Sequence, residues 1–492
     1  LKDLKVGDII HLQVSRTAVE NSSTIPFIHH VASRNIPVKK DEFRLLTANT
    51  DLVIFDDYGP MEKEVKADGI YWHTDEPVVI HNEKFMPLYQ DFGAGVYVTT
   101  KQEWESVGKN YYALIKHQFK NSIPVREKAF EIKGNKTVDE NLIYETADWI
   151  RGNINYRAVE FGGHSLIPSL SLTTLNNRNG DCKDQSLLLL ELLNTMGVKA
   201  NLALINLDEP GSMALPTIQQ FNHMIVHVPA GERWPEMWID PTDKSSSKRP
   251  VPLDLEDRVS IVINADSSFV RITPTLEKDQ EHAADLQHQI FIAPSGKAEF
   301  KDEIILRGKF ASALRNEMLK RDQLERKKYF QAWIGQNIPD AVVVDVQVEN
   351  VQAFNRALTI KMIYSSENYF LRSANDIQGP LPNIWENAFM YLPSMKNRKH
   401  PIRLPHETLF KYSMEVTALG KEKISLEKPQ TSTEQYYTKQ QFNLQSNNAK
   451  SIKYTGSWQT HSTYADPAEY LALVDEWNTI VENTSLRLRL LP

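Results

Sequence analysis

One cysteine, Cys182, occurs in the 492 residues, and it stands where a thiol can do chemistry. It follows the turn signal Gly180-Asp181 and opens an apolar stretch, Leu187 to Leu190 and on to Met196, that Gly197 stops. The pattern predicts a buried helix of about four turns with Cys182 in its first turn. Unbonded N–H groups at a helix start present partial positive charge, which favours a thiolate over a thiol. A thiol catalyst needs two further groups: an imidazole to take its proton and an acceptor that fixes the imidazole's tautomer. The chain supplies them downstream, in the order His223 and Asp240.

His223 lies in the strand-like run 221–228 and Asp240 ends a second such run, 236–240. A hairpin centred near Gly231-Glu232 sets His223 directly opposite Asp240, on one face with Cβ atoms about 5 Å apart. A slip of one residue would send the two to opposite faces. The same register sets His227 opposite Glu236, a second histidine–carboxylate pair. The backbone N–H of Cys182 can serve as one oxyanion donor. For the second, and for substrate contacts, the candidates are Trp149, Asn153 and Tyr156 on the preceding helix and loop. Asp181 reads as a helix N-cap and Lys183 and Asp184 as structural contacts. His29, His30 and the histidines of 73–81 lack metal-ligand spacing, and no acidic loop has calcium-ligand spacing. A thiol triad requires neither a metal nor a cofactor, and none is expected.

The elements that must position these groups are legible as periodicities. Residues 1–98 are β-rich, with strand-like runs at 9–14, 42–46, 52–55 and 94–98. Thr100 to Glu103 has the spacing of a capping box and opens a helix with Trp104, Val107, Tyr111, Leu114 and Ile115 on one face. Pro124 reads as a linker. Thr137 to Glu140 repeats the capping-box spacing before a helix carrying Leu142, Ile143, Trp149 and Ile150. A Gly/Ser/Pro-rich loop at 161–168 leads to the cysteine helix, and an alternating strand follows at 198–205. Beyond residue 263 the chain reads as β, with one charged helix at 309–334, a Pro/Asn-rich break at 379–393, and a final helix capped by Asp466. The division predicted is 1–125, β-rich and ending in a helix; 126–262, an α+β core with a helix packed on an antiparallel sheet; and 263–492, β-rich, divisible near 380–395.

Bulk composition narrows the function classes. The chain is 41% apolar and 24% charged with a net charge of −7, so a mild acidic excess and the lack of any basic block argue against nucleic acid as a partner. No stretch approaches the roughly 18 consecutive apolar residues of a membrane helix. The chain opens on Leu1 and not Met, which reads as a trimmed start from which a signal or anchor has been removed.

Gly180-Asp181-Cys182-Lys183-Asp184, the leucine-rich helix, Gly197-Val198-Lys199-Ala200, the run 221–226 around His223 and Trp238-Ile239-Asp240-Pro241-Thr242 together resemble the core of transglutaminase-like proteins. The resemblance covers about residues 137–245. It implies a papain-like α+β fold with a Cys-His-Asp triad at Cys182, His223 and Asp240. The flank around Met86-Pro87, 96–100 and Trp104 resembles the β-rich domain that precedes this core in multidomain bacterial proteins, here lacking its first part. The C-terminal region resembles their accessory domains. By resemblance alone, the implied location is periplasmic or on the bacterial surface. The implied activity is a thiol enzyme acting on peptide or glutamine-type amides of a peptide or protein substrate, with hydrolysis set ahead of crosslinking. The alternative is a non-catalytic envelope protein or a peptide- or glycan-binding module on a degenerate scaffold.

Overall fold

The computed structural model describes residues 5, 27–32, 35, 36, 38–75, 79–81, 83–87, 91–158, 166–244, 250–265, 267–274, 282–354, 356–385, 398–404, 407–426, 431–460 and 463–492. The run 9–14 and most of the loop 161–168 lie outside the described residues. β1 (Ile28–Val31), β2 (Asp41–Leu46), β3 (Val53–Tyr58), β4 (Glu62–Lys66), β5 (Gly69–Thr74) and β6 (Gly95–Thr100) form two three-stranded sheets, ordered β1-β6-β3 and β2-β5-β4. Alternation along these strands collects Val53, Ile70, Trp72, Val96 and Val98 into a small core.

α1 (Trp104–Ile115) buries Val107, Tyr111 and Ile115, whereas Leu114 is exposed. The capping box expected at its start does not form. Thr100 pairs with Val53 as the last residue of β6, and Glu103 takes the N-cap position without a side-chain bond. Pro124 is no linker: it sits in the first turn of α2 (Ile123–Lys133), where a missing N–H costs nothing. α3 (Glu140–Asn153) is capped by Asp139, two residues beyond Thr137. The Asp139 carboxylate accepts the Leu142 N–H at 3.1 Å.

β7 (Asn155–Tyr156), α4 (Ser171–Asn177), β8 (Asn179–Gly180) and α5 (Cys182–Thr195) lead into β9 (Asn201–Ile205), β10 (His223–Val228), β11 (Met237–Ile239), β12 (Val259–Ile263) and β13 (Phe269–Ile272). The last five make an antiparallel sheet ordered β11-β10-β9-β12-β13. Because β13 pairs with β12, this sheet runs past residue 262. α5 is buried on nearly every side, and its leucines face two different cores. Leu188, Leu189, Leu192 and Leu193 pack with Val125, Ile143 and Val226. Leu187 and Leu190 pack with Val107, Tyr111, Leu202, Leu204 and Ile261. Each leucine so buried contributes about 2 kcal/mol, and together they fix the depth at which Cys182 emerges. The core is α+β, a helix packed on an antiparallel sheet, as expected.

The C-terminal region adds β14 (Ala283–Ile292), β15 (Ala298–Leu306), α6 (Lys309–Leu319), α7 (Gln323–Asn337), β16 (Val342–Glu349), β17 (Leu358–Ser366), β18 (Leu371–Arg372), β19 (Ile377–Pro380), β20 (Ile402–Arg403), β21 (Leu409–Ala418), β22 (Lys423–Ser425), β23 (Thr431–Glu434), β24 (Thr438–Asn448) and β25 (Ser451–Thr460). One eight-stranded sheet, β16-β17-β15-β14-β21-β25-β24-β23, draws strands from both sides of the 379–393 break and joins them through the parallel pair β14–β21. Strands from both sides of the break thus belong to one sheet. The single charged helix expected at 309–334 is two helices. Asp322 starts the second by accepting the Glu325 N–H at 2.9 Å while the Glu325 carboxylate accepts the Asp322 N–H at 3.1 Å. The final helix, Tyr470–Thr484, begins later than expected, because the Asp466 carbonyl instead accepts the Glu469 N–H in the turn ahead of it. Among the described residues no helix is long and apolar enough to cross a membrane.

Candidate active site

Cys182 is the first residue of α5, and the side chains around it are spent on holding that helix start. The Asp181 carboxylate accepts the N–H groups of Lys183 (3.1 Å) and Asp184 (3.3 Å), and the Lys183 ammonium bonds the same carboxylate. In return the Asp184 carboxylate accepts the Asp181 N–H (3.2 Å) and the Ser169 N–H (2.7 Å). Asp181 and Asp184 thus form a capping box. Gly180 is required beneath it, since a Cβ there would lie 2.7 Å from the Asp184 Cβ. The Asp181 carbonyl takes the Gln185 N–H, so the cap engages three N–H groups of the first turn and not that of Cys182. Ser186 then ties the helix to the sheet by donating to the Met224 carbonyl at 2.9 Å, next to His223.

His223 opens β10 and is 9% exposed. Its Nε2 meets Asp240 Oδ2 at 2.8 Å, which leaves Nδ1 as the ring nitrogen available to the thiol. Burial by itself would lower the pKa of His223. The charge and hydrogen bond of Asp240, and then the hydrogen bond and charge of Cys182, outweigh it, and the imidazole is pushed up to about 10. Burial likewise opposes the charge on Asp240. Even so, His223 and the two donors of Thr242 hold its carboxyl well below the usual carboxylate range. Those donors, the Thr242 N–H and hydroxyl, both reach Oδ1 at 2.7 Å. His223 and Asp240 are therefore a hydrogen-bonded pair, and Cys182 and His223 line the same cleft.

The hairpin register differs from the expected one. Val226 pairs with Ile239, His227 with Trp238 and Val228 with Met237, and Gly231 bridges Trp234 around a turn centred one residue later than expected. The shift is two residues at the pair level, so faces are preserved: His223 and Asp240 lie on a diagonal of one face and not in direct opposition. His227 and Glu236 follow the same diagonal at 2.7 Å, but Arg271 shares that Glu236 oxygen at 2.7 Å and Trp238 packs on the ring at 4.6 Å. That pair does not line the thiol cleft.

A cleft of about 380 Å³ opens over the sulfur. Tyr111, Tyr156, Leu166, Ile218 and Phe221 give it apolar and aromatic walls, with Asp181 and Asn222 among its polar groups. Of the three residues singled out in sequence for oxyanion or substrate contacts, Tyr156 lines this cleft. β7 and β8 are the reason, since Tyr156 pairs with Gly180 two residues before the cysteine. Trp149 is instead held between Lys128 and Arg178, at 5.3 and 5.2 Å from its ring. The Asn153 amide is spent on the Trp149 carbonyl at 2.8 Å.

Two residues that matter here escaped the sequence reading. Tyr111 reaches the cleft from α1 and donates its hydroxyl to the Leu166 carbonyl at 2.7 Å, and burial holds its phenol far above the ordinary value. Arg151, 5% exposed on α3, donates from Nη2 (2.7 Å) and Nε (3.3 Å) to the Asp240 carbonyl. Its Nη1 is held by Asp148 Oδ1 at 2.8 Å. The i, i+3 spacing of Asp148 and Arg151 on the otherwise apolar face of α3 is the signal that could have found it.

Residues 126–243 match the sequence model of the Transglutaminase-like superfamily, and this segment of the chain is similar to that family's core. Among solved structures, the chain is similar in fold to a "putative protease" from Parabacteroides distasonis, with a TM-score of 0.63 at 12% identity, covering 96% of this chain and 77% of that one. A comparison with curated protein sequences finds no match.

Proposed function

We propose that the chain is a thiol hydrolase acting on peptide or glutamine-type amide bonds. The observation that carries this reading is the His223–Asp240 contact at 2.8 Å, with Cys182 and His223 lining one open cleft. In this reading Cys182 Sγ, its proton held on His223 Nδ1, attacks the carbonyl carbon. The Cys182 N–H, left out of the helix cap, stabilises the oxyanion, and Tyr156 is the candidate for a second contact. The imidazolium gives its proton to the departing amine, which leaves as the C–N bond breaks. His223 then takes a proton from water as it attacks the thioester, releasing acid and thiol. Asp240, both oxygens occupied, keeps the ring in one orientation throughout. The fold shared with a protein described as a "putative protease" supports hydrolysis over transfer to an amine. The family resemblance supports a periplasmic or surface location.

Incubation with a peptide library and mass spectrometry of the intact protein tests this reading. An acyl adduct on Cys182 that forms, decays in water and is missing in Cys182→Ala is the expected result. No adduct with any peptide, while iodoacetamide still labels the thiol, would count against it. An adduct that persists until an amine is added would replace hydrolysis by crosslinking.

A further inference from the structure

A second cavity, of about 420 Å³, lies between the β1-β6-β3 sheet and the loop 206–220 that joins β9 to β10. The sheet face it exposes is aromatic by alternation. His29 and Asp56 each stand across from Tyr97 in the two ladders, so their i±2 neighbours Phe27 and Tyr58 share that face. The rings form one surface: Tyr97 stacks with His29 at 4.0 Å and with Phe27 at 5.7 Å, and Tyr58 leans on it at 5.8 Å.

Three carboxylates line the same cavity, Asp56 from the sheet and Asp208 and Glu209 from the loop. Each is bonded by a neutral donor: Glu209 by the Tyr97 hydroxyl (2.9 Å), Asp56 by the Ser212 hydroxyl (3.2 Å) and Asp208 by the Asn222 amide (2.7 Å). Among the described residues, no lysine or arginine lines the cavity. Arg258, close to the loop, directs its guanidinium to the carbonyls of Asn206 (2.7 Å), Glu209 (3.2 Å) and Asp254 (2.6 Å). Burial lowers the pKa of His29, so it does not supply the missing charge at neutral pH. An aromatic-walled cavity at a junction between units, with a few convergent polar groups, is the usual form of a ligand site. Arg258 offsets part of the Asp208 charge from outside the lining, and ring faces together with the remaining carboxylates select an organic cation.

We propose that this cavity binds the side-chain cation of a lysine or arginine residue in a peptide. Resting on the amide-hydrolase reading, that peptide is the substrate. The loop forming the cavity wall continues through Ile218, Phe221 and Asn222 into the thiol cleft, and Asn222 is the residue that bonds Asp208.

Calorimetric titration of the full chain carrying Cys182→Ala tests the site apart from the chemistry. The probes are short peptides that differ only in one residue: arginine, lysine, citrulline or norleucine. The arginine and lysine peptides should bind about tenfold tighter than their neutral counterparts, the gain of one desolvated cation–ring and charge contact. Adding Glu209→Gln or Tyr97→Leu, each checked for a native thermal transition, should remove about that factor. Equal binding of the citrulline and norleucine peptides, or unchanged affinity in a folded Glu209→Gln protein, overturns the proposal. Arginine amide binding as tightly as the arginine peptide overturns the assignment to a peptide. Because the nucleophile is removed in every arm, a failure of the thiol-enzyme reading leaves these outcomes unaffected.

Discussion

His223 and Asp240 meet at 2.8 Å across a ladder in which neither stands opposite the other. Asp240 lies just past the end of β11, and its carboxylate is turned back by the two Thr242 donors on Oδ1 while Oδ2 faces the ring. The contact thus depends on a turn and a diagonal, both more sensitive to substitution than a paired position.

Asp240→Asn should therefore lower kcat/KM for a peptide amide by about a thousandfold with little change in KM, because the amide neither balances the imidazolium nor fixes the tautomer. Steady-state kinetics on the most active library peptide checks this. A loss confined to KM would contradict the orienting role.

The pH profile follows from the same pair. His223 is raised from its ordinary 6.5 to about 10, so the stability it contributes is complete below about pH 6.5 and is lost as pH rises through about 10. Asp240 is depressed, so its contribution is present above its ordinary 3.8 and is lost only as pH falls well below that. Between those limits the charged pair persists. Alkylation of Cys182 by iodoacetamide should accordingly depend on His223 across neutral pH, and amide turnover should fall only as pH approaches about 10. In Asp240→Asn the alkaline limb should move to lower pH. An unchanged limb would show that another group sets it.

Arg151→Ala should destabilise the protein by about 3 kcal/mol, because it removes the buried partner of Asp148 and the two donors to the Asp240 carbonyl. Arg151→Lys should recover only part of this, since an ammonium cannot reproduce the planar fork. Urea unfolding measures the first effect. Turnover by the folded lysine variant measures how far Asp240 has moved.

Gly180→Ala should cost about 1–3 kcal/mol and slow Cys182 alkylation. The new Cβ would press on the Asp184 Cβ at 2.7 Å and the Thr174 Cγ2 at 3.1 Å, prising open the cap that holds the cysteine. Thermal unfolding and alkylation rate, measured on one preparation, check both effects. By contrast, Gly197→Ala meets no side chain and strains only its φ of +87°, so it should lower stability without altering alkylation.

Much of the core was legible because its signals are local. Cys182 at a helix start, the leucines of α5 and the alternation of β9 and β10 are periodicities a single segment carries, and the structure shows those elements where the sequence implies them. Helix starts were less legible. Thr100, Thr137 and Asp466 have capping spacing, yet a strand ladder, a better-placed Asp139 and a turn took over those positions. A cap is a competition among neighbouring residues for the same N–H groups, and spacing alone does not decide it.

By itself, the sequence determined that a thiol, an imidazole and a carboxylate occur in an order and on elements that can bring them together. It also proposed a register that puts His223 and Asp240 on one face; the folded hairpin shifted that register by an even number, which is why the shared face survived. Only the tertiary structure decided that Tyr156 reaches the cleft while Trp149 and Asn153 do not, and that Arg151 grips the Asp240 carbonyl from a helix 89 residues earlier. It alone decided, too, that the aromatic face of an N-terminal sheet closes a cavity against the loop leading to His223. Those relations join segments far apart in the chain. They are set by which buried faces pack together, and no periodicity within one segment encodes that choice.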